Sequence, residues 1–410
     1  MILLPQILTR LIKQGTLTVI DCENRVRVYK GEPGPIVTMK LHNHAVARKL
    51  AIYPKLYLGE AYMDGSMTVQ DGTIYDLLDL FSLNTGWGIK HPLASIGDFV
   101  YKLIWFLIRY NPKGRSVQNV AHHYDLSDEF YDLFLDENRQ YSCAYFKDPD
   151  DSLEQAQLQK MAHIEAKLAL EDGHKILDIG CGWGGMARFL ADSKDVTVKG
   201  ITLSKNQLSY ALDKAKEVGL SDRVDYIMKD YRDLSETFDR IVSVGMFEHV
   251  GKPHYRNFFE KVKSTLTEDG VALLHTIGTA DRPTATNPWI QKYIFPGGYI
   301  PPLSEITPEI EKAGLYVTDI EILRVHYADT LRAWRQRFLD KMDVVLDIYD
   351  ARFSRMWEFY LAASEVAFRH NGLVVFQIQM SKQLETLPLT RGYISKAEKQ
   401  HSFDTQIAAE

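Results

Sequence analysis

The sequence predicts an α/β fold built on a mostly parallel sheet with helices on both faces. Between residues 175 and 276, short runs of branched apolar residues alternate with longer amphipathic stretches, as parallel strands and their crossover helices require. The first apolar run stops in closely spaced glycines, Gly180, Gly182, Gly184 and Gly185, and a helix-forming stretch follows directly. A strand, a glycine turn and a helix N-terminus in this order are typical of α/β sheets that bind nucleotide-type cofactors.

Composition sets limits on the class of protein. With 410 residues, of which 45% are hydrophobic and 25% charged, the chain has the composition of a globular protein of two domains. The net charge of -6 argues against nucleic acid as a partner, because nucleic-acid binders present a basic surface. The 3 cysteines, Cys22, Cys143 and Cys181, are far apart in sequence, so we expect neither a disulfide framework nor a metal site, and a cytoplasmic setting. We also expect no signal peptide and no membrane-spanning helix.

Residues 1–90 indicate a small α+β domain. Apolar residues recur at helical spacing from Leu3 to Ile12, and the stretches 16–20, 25–29 and 36–41 alternate as strands do. None of these stretches carries the residues of a reaction centre. Two interpretations remain open, namely a structural or dimer-forming module and a module that handles lipid or docks to a membrane.

Residues 91–115 predict an aromatic and basic linker helix. Its centre at 99–110 reads FVYKLIWFLIRY, which is too short to span a bilayer. The basic residues Lys102, Arg109, Lys113 and Arg115 beside aromatic rings suit a membrane interface. A buried helix that links two domains fits the same pattern. We place the larger domain at 116–394 and a frayed, polar tail at 395–410.

The larger domain shows the clearest periodicity. We predict strands at 176–179, 196–201, 224–228, 238–244, 271–276 and 374–380, and helices at 152–170, 205–217, 255–266, 328–350 and 352–368. Ligands of parallel sheets bind outside the carboxyl ends of the strands. Asp178–Gly182, Thr202, Asp230–Arg232, Glu248 and His275 all fall at such ends.

The glycine loop leaves the identity of the cofactor open. Gly180, Gly182 and Gly185 satisfy G-x-G-x-x-G, which is a weak pattern alone. A dinucleotide site requires an acid at the end of the next strand, about 20 residues further on. That strand ends in Thr202 without a carboxylate, whereas Asp178 lies within the first strand. This favours a cofactor without a pyrophosphate, such as S-adenosylmethionine, over a dinucleotide or a glycine turn that binds nothing.

A series of motifs in the larger domain carries a specific resemblance. They are YSCAYF at 141–146, LDIGCGWGG at 177–185, TLSKNQ at 202–207, DYRDL at 230–234, VSVGMFEHVG at 242–251, LHTIG at 274–278 and YIFPG at 293–297. In this order they resemble the cyclopropane fatty acid synthases, S-adenosylmethionine-dependent methyltransferases that include the mycolic acid cyclopropane synthases. The N-terminal domain, with GEAYMDG at 59–65, looks like that of the long bacterial members that act on phospholipids.

This resemblance implies a fold and a reaction. The fold would be a Rossmann-like class I methyltransferase with a mostly parallel seven-stranded sheet. The reaction would transfer a methylene from S-adenosylmethionine to the cis double bond of an acyl chain in a membrane phospholipid, which forms a cyclopropane ring. The implied partner is the cytoplasmic face of a phospholipid bilayer, contacted peripherally, and the implied assembly is a homodimer.

The resemblance also implies the site residues. Together with Asp178, the donor-binding set is Tyr141, Ser142, Gly180, Gly182, Thr202, Leu203, Gln207, Tyr231 and Arg232. Family members hold a bicarbonate ion in the active site, and the matching catalytic residues here are Cys143, Glu248, His275, Ile277 and Tyr327. Some members carry a cysteine in the penultimate helix where this chain has Ser364, so a nucleophile at that position is not needed.

The chemistry sets what such a site must do. A double bond that attacks a sulfonium methyl becomes a carbocation, and the ring closes when the new methyl loses a proton. The site therefore needs alignment, a base and shelter from water. We expect bicarbonate to take the proton and aromatic rings to stabilise the cation. The candidate rings are those of Tyr141, Tyr145, Phe146, Tyr293 and Phe295. The alternatives are addition of a methyl branch to the acyl chain, and a lipid-binding protein with an inactive methyltransferase domain.

Overall fold

The computed structural model describes residues 3–85 and 126–401. The predicted linker helix at 91–115 and residues 402–410 of the predicted tail lie outside the described residues. By their internal contacts, the described residues form two compact units. The first contains residues 3–85, 281–298 and 331–373, and the second contains 126–280, 299–330 and 374–401.

The elements are numbered in chain order within these ranges. The strands are β1 (Gln14–Ile20), β2 (Val26–Lys30), β3 (Glu32–Leu41), β4 (Met67–Asp71), β5 (Lys175–Ile179), β6 (Thr197–Thr202), β7 (Val224–Met228), β8 (Phe238–Val244), β9 (Leu266–Thr279), β10 (Tyr316–Leu323) and β11 (Leu373–Ser381). The helices are α1 (Leu3–Leu11), α2 (His44–Ile52), α3 (Pro54–Met63), α4 (Ile74–Thr85), α5 (Asp128–Asp132), α6 (Leu153–Lys167), α7 (Gly185–Ser193), α8 (Lys205–Glu217), α9 (Tyr255–Thr265), α10 (Pro288–Tyr293), α11 (Leu303–Ala313), α12 (His326–Asp340), α13 (Met342–Ile348), α14 (Ala351–His370) and α15 (Gly392–Glu398). Short 3-10 turns lie at Tyr231–Asp233, Phe247–His249 and Lys252–His254.

The first unit contains a four-stranded sheet in the order β2-β1-β3-β4. Strand β1 is antiparallel to β2 and parallel to β3, and β3 is antiparallel to β4. The inward side chains Leu17, Val37 and Met39 are buried, as alternation along half-buried strands predicts.

The GEAYMDG segment belongs to the packing of this first unit. Glu60 pairs with Lys292 of α10 at 2.6 Å, and Tyr62 donates to Glu358 of α14 at 2.7 Å. Asp64 accepts from Arg352 at 2.8 Å. The polar residues of the segment thus attach α3 and the turn after it to two helices that lie more than 200 residues further along the chain.

The second unit contains a seven-stranded sheet in the order β10-β11-β9-β8-β5-β6-β7. Strands β8 and β9, β5 and β8, β5 and β6, and β6 and β7 pair in parallel, whereas β10 and β11 are antiparallel. The prediction of a mostly parallel seven-stranded sheet is confirmed. Residues 176–179 of β5 are all buried, because a parallel strand is covered on both faces; three of them are apolar, and the fourth is Asp178.

Several predicted elements have the observed bounds and others do not. The predicted helix at 205–217 and strands at 224–228 and 238–244 match α8, β7 and β8. The single helix predicted at 328–350 is wrong, because the chain breaks near Lys341 into α12 and α13. The expectation of a frayed tail is also wrong for 395–398, which belong to α15. Ile394 of this helix is buried, and Glu398 bonds His163 at 2.5 Å.

The helices of the described ranges include none that is long and apolar enough to cross a membrane.

Candidate active site

A crevice opens where the strand order of the large sheet reverses. The chain runs from β5 through β6 to β7 on one side and places β8 and β9 on the other side of β5. Ligands bind at such a switch point, outside the carboxyl ends of the strands. A cavity lies here, and every residue of the predicted donor-binding set lines it. These residues are Tyr141, Ser142, Asp178, Gly180, Gly182, Thr202, Leu203, Gln207, Tyr231 and Arg232.

The glycine loop shapes the floor of the cavity. Gly180 and Gly182 have φ angles of 82° and 54°, in the left-handed region that side chains rarely adopt. A Cβ at Gly180 would lie 2.8 Å from Met246, so this glycine permits close packing. A Cβ at Gly182 would meet no atom within 4 Å, so this glycine leaves room for a ligand. Helix α7 begins directly after the loop, at Gly185.

Hydrogen bonds hold the next wall of the cavity in place. The hydroxyl of Thr202 donates to Gln207 Oε1 at 3.0 Å. Ser204 caps α8 by accepting the backbone N–H of Gln207. Because the cap fixes the start of α8, the side chains at the ends of β6 and α8 are oriented before any ligand arrives.

The wall after β7 combines a charged pair with an aromatic ring. Arg232 donates from Nε to Asp230 Oδ1 at 2.8 Å. Tyr231 packs edge-on against Phe258 with 5.3 Å between ring centroids. Burial raises the pKa of Tyr231 to about 12, so its hydroxyl stays protonated at neutral pH.

Asp178 lies at the end of β5 beside a buried lysine. Burial raises the pKa of Asp178 to about 7, although the charge of Lys160 opposes the rise. Burial lowers the pKa of Lys160 to about 8, while the charges of Asp136 and Asp178 oppose the fall. Asp178 Oδ2 is buried and has no hydrogen-bond partner among the residues that the structure describes. The cavity therefore offers an acceptor to a ligand that donates hydrogen bonds.

Lys160 supports the opposite wall. Its ammonium group, which is fully buried on α6, donates to Gln140 Oε1 and, at 3.0 Å, to Ser142 Oγ. Gln140 and Ser142 both line the cavity. The sequence interpretation missed Lys160. The signal was a lysine on the apolar face of the predicted helix, at i+7 from the buried Leu153 and i+4 from the buried Ala156.

Glu248 lies behind the cavity wall. The residues around it in sequence, Met246 and His249, line the cavity, while Glu248 is only 8% exposed. Its Oε1 accepts the backbone N–H of Ile277 at 2.5 Å. Its Oε2 is buried without a partner in the described chain, and the nearby Thr276 hydroxyl donates to the carbonyl of Ile277. Burial raises the pKa of Glu248, against the lowering effect of the Ile277 N–H.

His275 lies two residues before Ile277 on β9 and is 2% exposed. Its Nδ1 is 3.2 Å from the side-chain nitrogen of Gln377 on the neighbouring strand β11. Its Nε2 is buried and has no partner within 3–85 and 126–401. Burial lowers the pKa of His275 well below its ordinary value, so the ring is neutral at physiological pH.

Cys143 and Tyr327 lie together in a second group. Cys143 is fully buried, and burial raises the pKa of its thiol, which donates to the carbonyl of Ala144 at 3.2 Å. The backbone N–H of Ala144 donates to Thr330 Oγ1 at 3.0 Å, and Thr330 lies one turn after the buried Tyr327 on α12. The thiol is therefore a neutral hydrogen-bond donor and not a nucleophile.

The aromatic residues of the YSCAYF segment have different surroundings. Tyr141 lines the cavity and packs against Tyr131. Tyr145 stacks on His163 at 4.3 Å and on His326 at 5.0 Å, so imidazole rings engage its π system. Phe146 stacks on His326 at 6.4 Å. Of these three, Tyr141 is the ring that faces the cavity.

Comparison with known proteins identifies the family that this chain resembles. The family model described as mycolic acid cyclopropane synthetase matches residues 111–378. The cyclopropane-fatty-acyl-phospholipid synthase of Escherichia coli K12 is 40% identical over 332 residues, which cover 80% of this chain and 84% of that protein. A probable fatty acid methyltransferase of Pseudomonas putida is 40% identical over 294 residues, with 69% of this chain and 75% of that protein covered.

Solved structures agree with these relatives. The cyclopropane synthase MmaA2 from Mycobacterium tuberculosis superposes with a TM-score of 0.63 at 34% identity, covering 66% of this chain and 99% of that one. The mycolic acid cyclopropane synthase CmaA1, complexed with SAH and CTAB, superposes with a TM-score of 0.61 at 33% identity and the same coverage.

The seven-stranded sheet and its neighbours define a class I S-adenosylmethionine-dependent methyltransferase. Within that class, the family match and the relatives identify a narrower group. The chain belongs to the mycolic acid cyclopropane synthetase family.

Proposed function

We propose that this protein is a cyclopropane-fatty-acyl-phospholipid synthase, which forms a cyclopropane ring across the cis double bond of an acyl chain in a membrane phospholipid. One observation carries the proposal. Behind the wall of the donor cavity, Glu248 Oε2 and His275 Nε2 are both buried and both lack a partner in the described residues. Buried polar atoms without partners are costly, so they point to a group that binds there. The relative from Escherichia coli, which bears this enzyme's name, supports the proposed substrate.

The cavity fits S-adenosylmethionine as the methyl donor. The open space at Gly182 and the unpaired acceptor of Asp178 suit a bulky ligand that donates hydrogen bonds. When bound, S-adenosylmethionine supplies an electrophilic methyl to the double bond. The lining residues from Tyr141 to Arg232 hold and orient it, and the fixed positions of Thr202 and Gln207 reduce the entropy that binding costs.

Ring closure requires a base, and we propose bicarbonate in that role. Glu248, whose pKa burial raises, can keep a proton and donate it to a neighbouring anion, which removes the repulsion between two negative charges. Neutral His275 offers a second hydrogen bond. The backbone N–H of Ile277 already bonds Glu248, so Ile277 acts by orienting that carboxyl group. Cys143 and Tyr327 complete the proposed catalytic set as protonated donors.

The proposed substrate determines where the protein works. A phospholipid keeps its acyl chain in the bilayer, so the protein contacts the membrane peripherally, and we place that contact on the cytoplasmic face. We assign lipid handling or dimer formation to residues 1–90, the link between the two domains to 91–115 and catalysis to 116–394. We expect a homodimer.

A second candidate is addition of a methyl branch to an unsaturated acyl chain. The name of the Pseudomonas putida relative, a probable fatty acid methyltransferase, favours it. The same carbocation would then lose a proton from a different carbon, and an alkene would remain.

The experiment is mass spectrometry of cis-unsaturated phospholipid vesicles after incubation with the protein and S-adenosylmethionine. Gain of one CH2 with loss of the vinyl proton signals supports cyclopropane formation. Gain of one CH2 with a retained alkene supports the methyl branch. Binding of the donor without any change in mass contradicts both and supports an inactive lipid-binding protein.

A further inference from the structure

Gln377 is a buried polar residue that contacts the candidate active site from a neighbouring strand. It lies on β11, its side chain is fully buried, and its Nε2 is 3.2 Å from His275 Nδ1. An amide nitrogen donates hydrogen bonds and cannot accept them. With the amide in this orientation, His275 Nδ1 is the acceptor, and the single proton of a neutral ring would be on Nε2.

This arrangement leaves a donor without an acceptor. His275 Nε2 is buried and has no partner among the described residues. A buried N–H without a partner costs about 1–3 kcal/mol, so such a group persists where a ligand satisfies it. The sequence pattern gave no reason to select Gln377, because 102 residues separate it from His275.

The charges around the ring keep it neutral. Burial lowers the pKa of His275 well below its ordinary value, and Lys160, Lys167 and His163 of α6 lower it further. The 3-10 turn at 247–249 carries two ionisable groups: burial raises the pKa of Glu248 and lowers the pKa of His249 to about 4. A second proton on the ring is therefore disfavoured, and the position of the one proton depends on the contact at Nδ1.

We propose that Gln377 is a positioning residue that holds His275 in the Nε2–H tautomer, so that His275 donates a hydrogen bond during ring closure and does not act as the base. The inference rests on the proposed function for the role of His275. In ring closure, a C–H bond of the new methyl breaks, its electron pair forms the last C–C bond of the ring, and the proton passes to a base; bicarbonate held beside His275 would supply that base. His275 with a proton on Nε2 stabilises the anion that takes this proton.

Two variants and a matched control test the proposal. Gln377→Glu replaces the donor with a carboxylate, which attracts a proton to Nδ1. Gln377→Met removes the contact. Gln379→Met is the control, because Gln379 is also buried on β11 but donates to the carbonyl of Lys167 and to Tyr393 Oη. The 15N NMR spectrum of the histidine-labelled protein without ligands reports the tautomer directly, and a His275→Gln variant assigns the signal.

The expected wild-type spectrum shows a protonated Nε2 and an unprotonated Nδ1 at His275. The Gln377→Glu variant should move the proton to Nδ1, and Gln379→Met should leave the wild-type pattern. In assays, Gln377→Met should lower kcat about tenfold to a hundredfold, as expected for lost orientation of one group, with donor Kd unchanged.

A proton on Nδ1 of the wild-type ring overturns the proposal, and so does a Gln377→Glu spectrum with the proton still on Nε2. The wild-type spectrum decides even where a variant fails to fold. Because the spectrum needs no turnover, its outcome is independent of the proposed function. A wild-type protein with the Nε2–H tautomer but no cyclopropane product would contradict the proposed reaction and leave the tautomer established.

Discussion

Glu248 and Ile277 are joined by a hydrogen bond of 2.5 Å from the backbone N–H of Ile277 to one carboxyl oxygen of Glu248. The bond fixes the carboxyl group and leaves its second oxygen buried without a partner in the described part of the chain. An acid held in this way can bond a ligand through its second oxygen. Its raised pKa suits it to carry a proton.

We predict that Glu248→Gln abolishes most of the activity without weakening donor binding. The amide oxygen can still accept from Ile277, but the side chain can no longer exchange a proton, so kcat should fall about 10²- to 10⁴-fold. Product formation and calorimetric titration with S-adenosylmethionine measure the two effects. Glu165→Gln is the control, because Glu165 is another buried carboxylate of the second unit and pairs with His401 at 3.0 Å. Equal activity losses in the two variants would contradict the role of Glu248.

Alanine variants at Gly182 and Gly219 distinguish the effect of backbone strain on stability from the effect of an added methyl group on donor binding. Both glycines have positive φ angles, 54° and 74°, and a Cβ at either would meet no atom within 4 Å. Alanine at either position should therefore cost a similar amount of folding stability, roughly 1–2 kcal/mol. At Gly182 alone the methyl group enters the cavity, so donor affinity should fall about tenfold or more. Thermal unfolding and donor titration check this prediction, and equal donor affinities in the two variants would refute it.

Lys160→Met should destabilise the protein by about 3 kcal/mol, because it leaves Asp178 without its buried counter-charge. Burial already raises the pKa of Asp178 to about 7, and loss of Lys160 should raise it further. At pH 6 Asp178 is protonated in the folded state of both proteins, whereas above pH 7 only the wild type ionises it readily. The stability difference should therefore grow as the pH rises above about 7.

Denaturant unfolding at pH 6 and pH 8.5 measures this trend. The double variant Lys160→Met/Asp178→Asn lacks both titrating groups, so its own stability should not fall between pH 6 and pH 8.5, as that of Lys160→Met should. A stability difference that stays constant between the two pH values would show that Asp178 and Lys160 are not coupled.

The pKa of Glu398 is shifted in the opposite direction to that of Asp178. Burial favours a higher pKa for Glu398, but the hydrogen bond and charge of His163 outweigh it and lower the pKa. A lowered pKa in the folded state stabilises the fold above the unfolded value of about 4.5, and this stabilisation is lost as the pH falls through the folded value. Glu398→Gln should therefore cost on the order of 1 kcal/mol at pH 7, after allowance for solvent screening, and less below pH 4.

Stability curves between pH 3 and pH 8 test the Glu398 prediction. Glu268→Gln is the matched control, because Glu268 is 76% exposed and its pair with Lys382 should contribute little. A Glu398→Gln defect that remains undiminished at pH 3 would exclude the ionic contribution.

The sequence predicted element bounds best where a local pattern of apolar residues and turns determines the structure. Strands β7 and β8 and helix α8 have the predicted bounds, because their apolar periods and flanking turns are strong. The donor-binding set was implied by the family resemblance, and for its members at strand ends, such as Thr202, it agreed with the rule that parallel strands bring their carboxyl ends to one edge. The tail was mispredicted because α15 is held by Glu398 and by a single buried apolar residue, Ile394, and not by a long apolar stripe.

Long-range contacts explain the rest. Gln377 reaches His275 through the pairing of β11 beside β9, which no local pattern indicates. Lys160 shares its helix with other buried polar residues, Gln157, Glu165 and Lys167, so its place on the apolar face did not by itself indicate a role at the site. Strand β10 was not predicted because Asp319 and Glu321 interrupt its apolar residues. Both acids form ion pairs with Lys167 of α6.

The most direct test of the central claim uses S-adenosylmethionine with a fully deuterated methyl group and cis-unsaturated phospholipid vesicles. Ring closure removes one deuteron from the transferred methyl, so the product should carry a CD2 unit and no alkene. A product that retains all three deuterons beside an alkene would contradict cyclopropane formation and establish methyl branching.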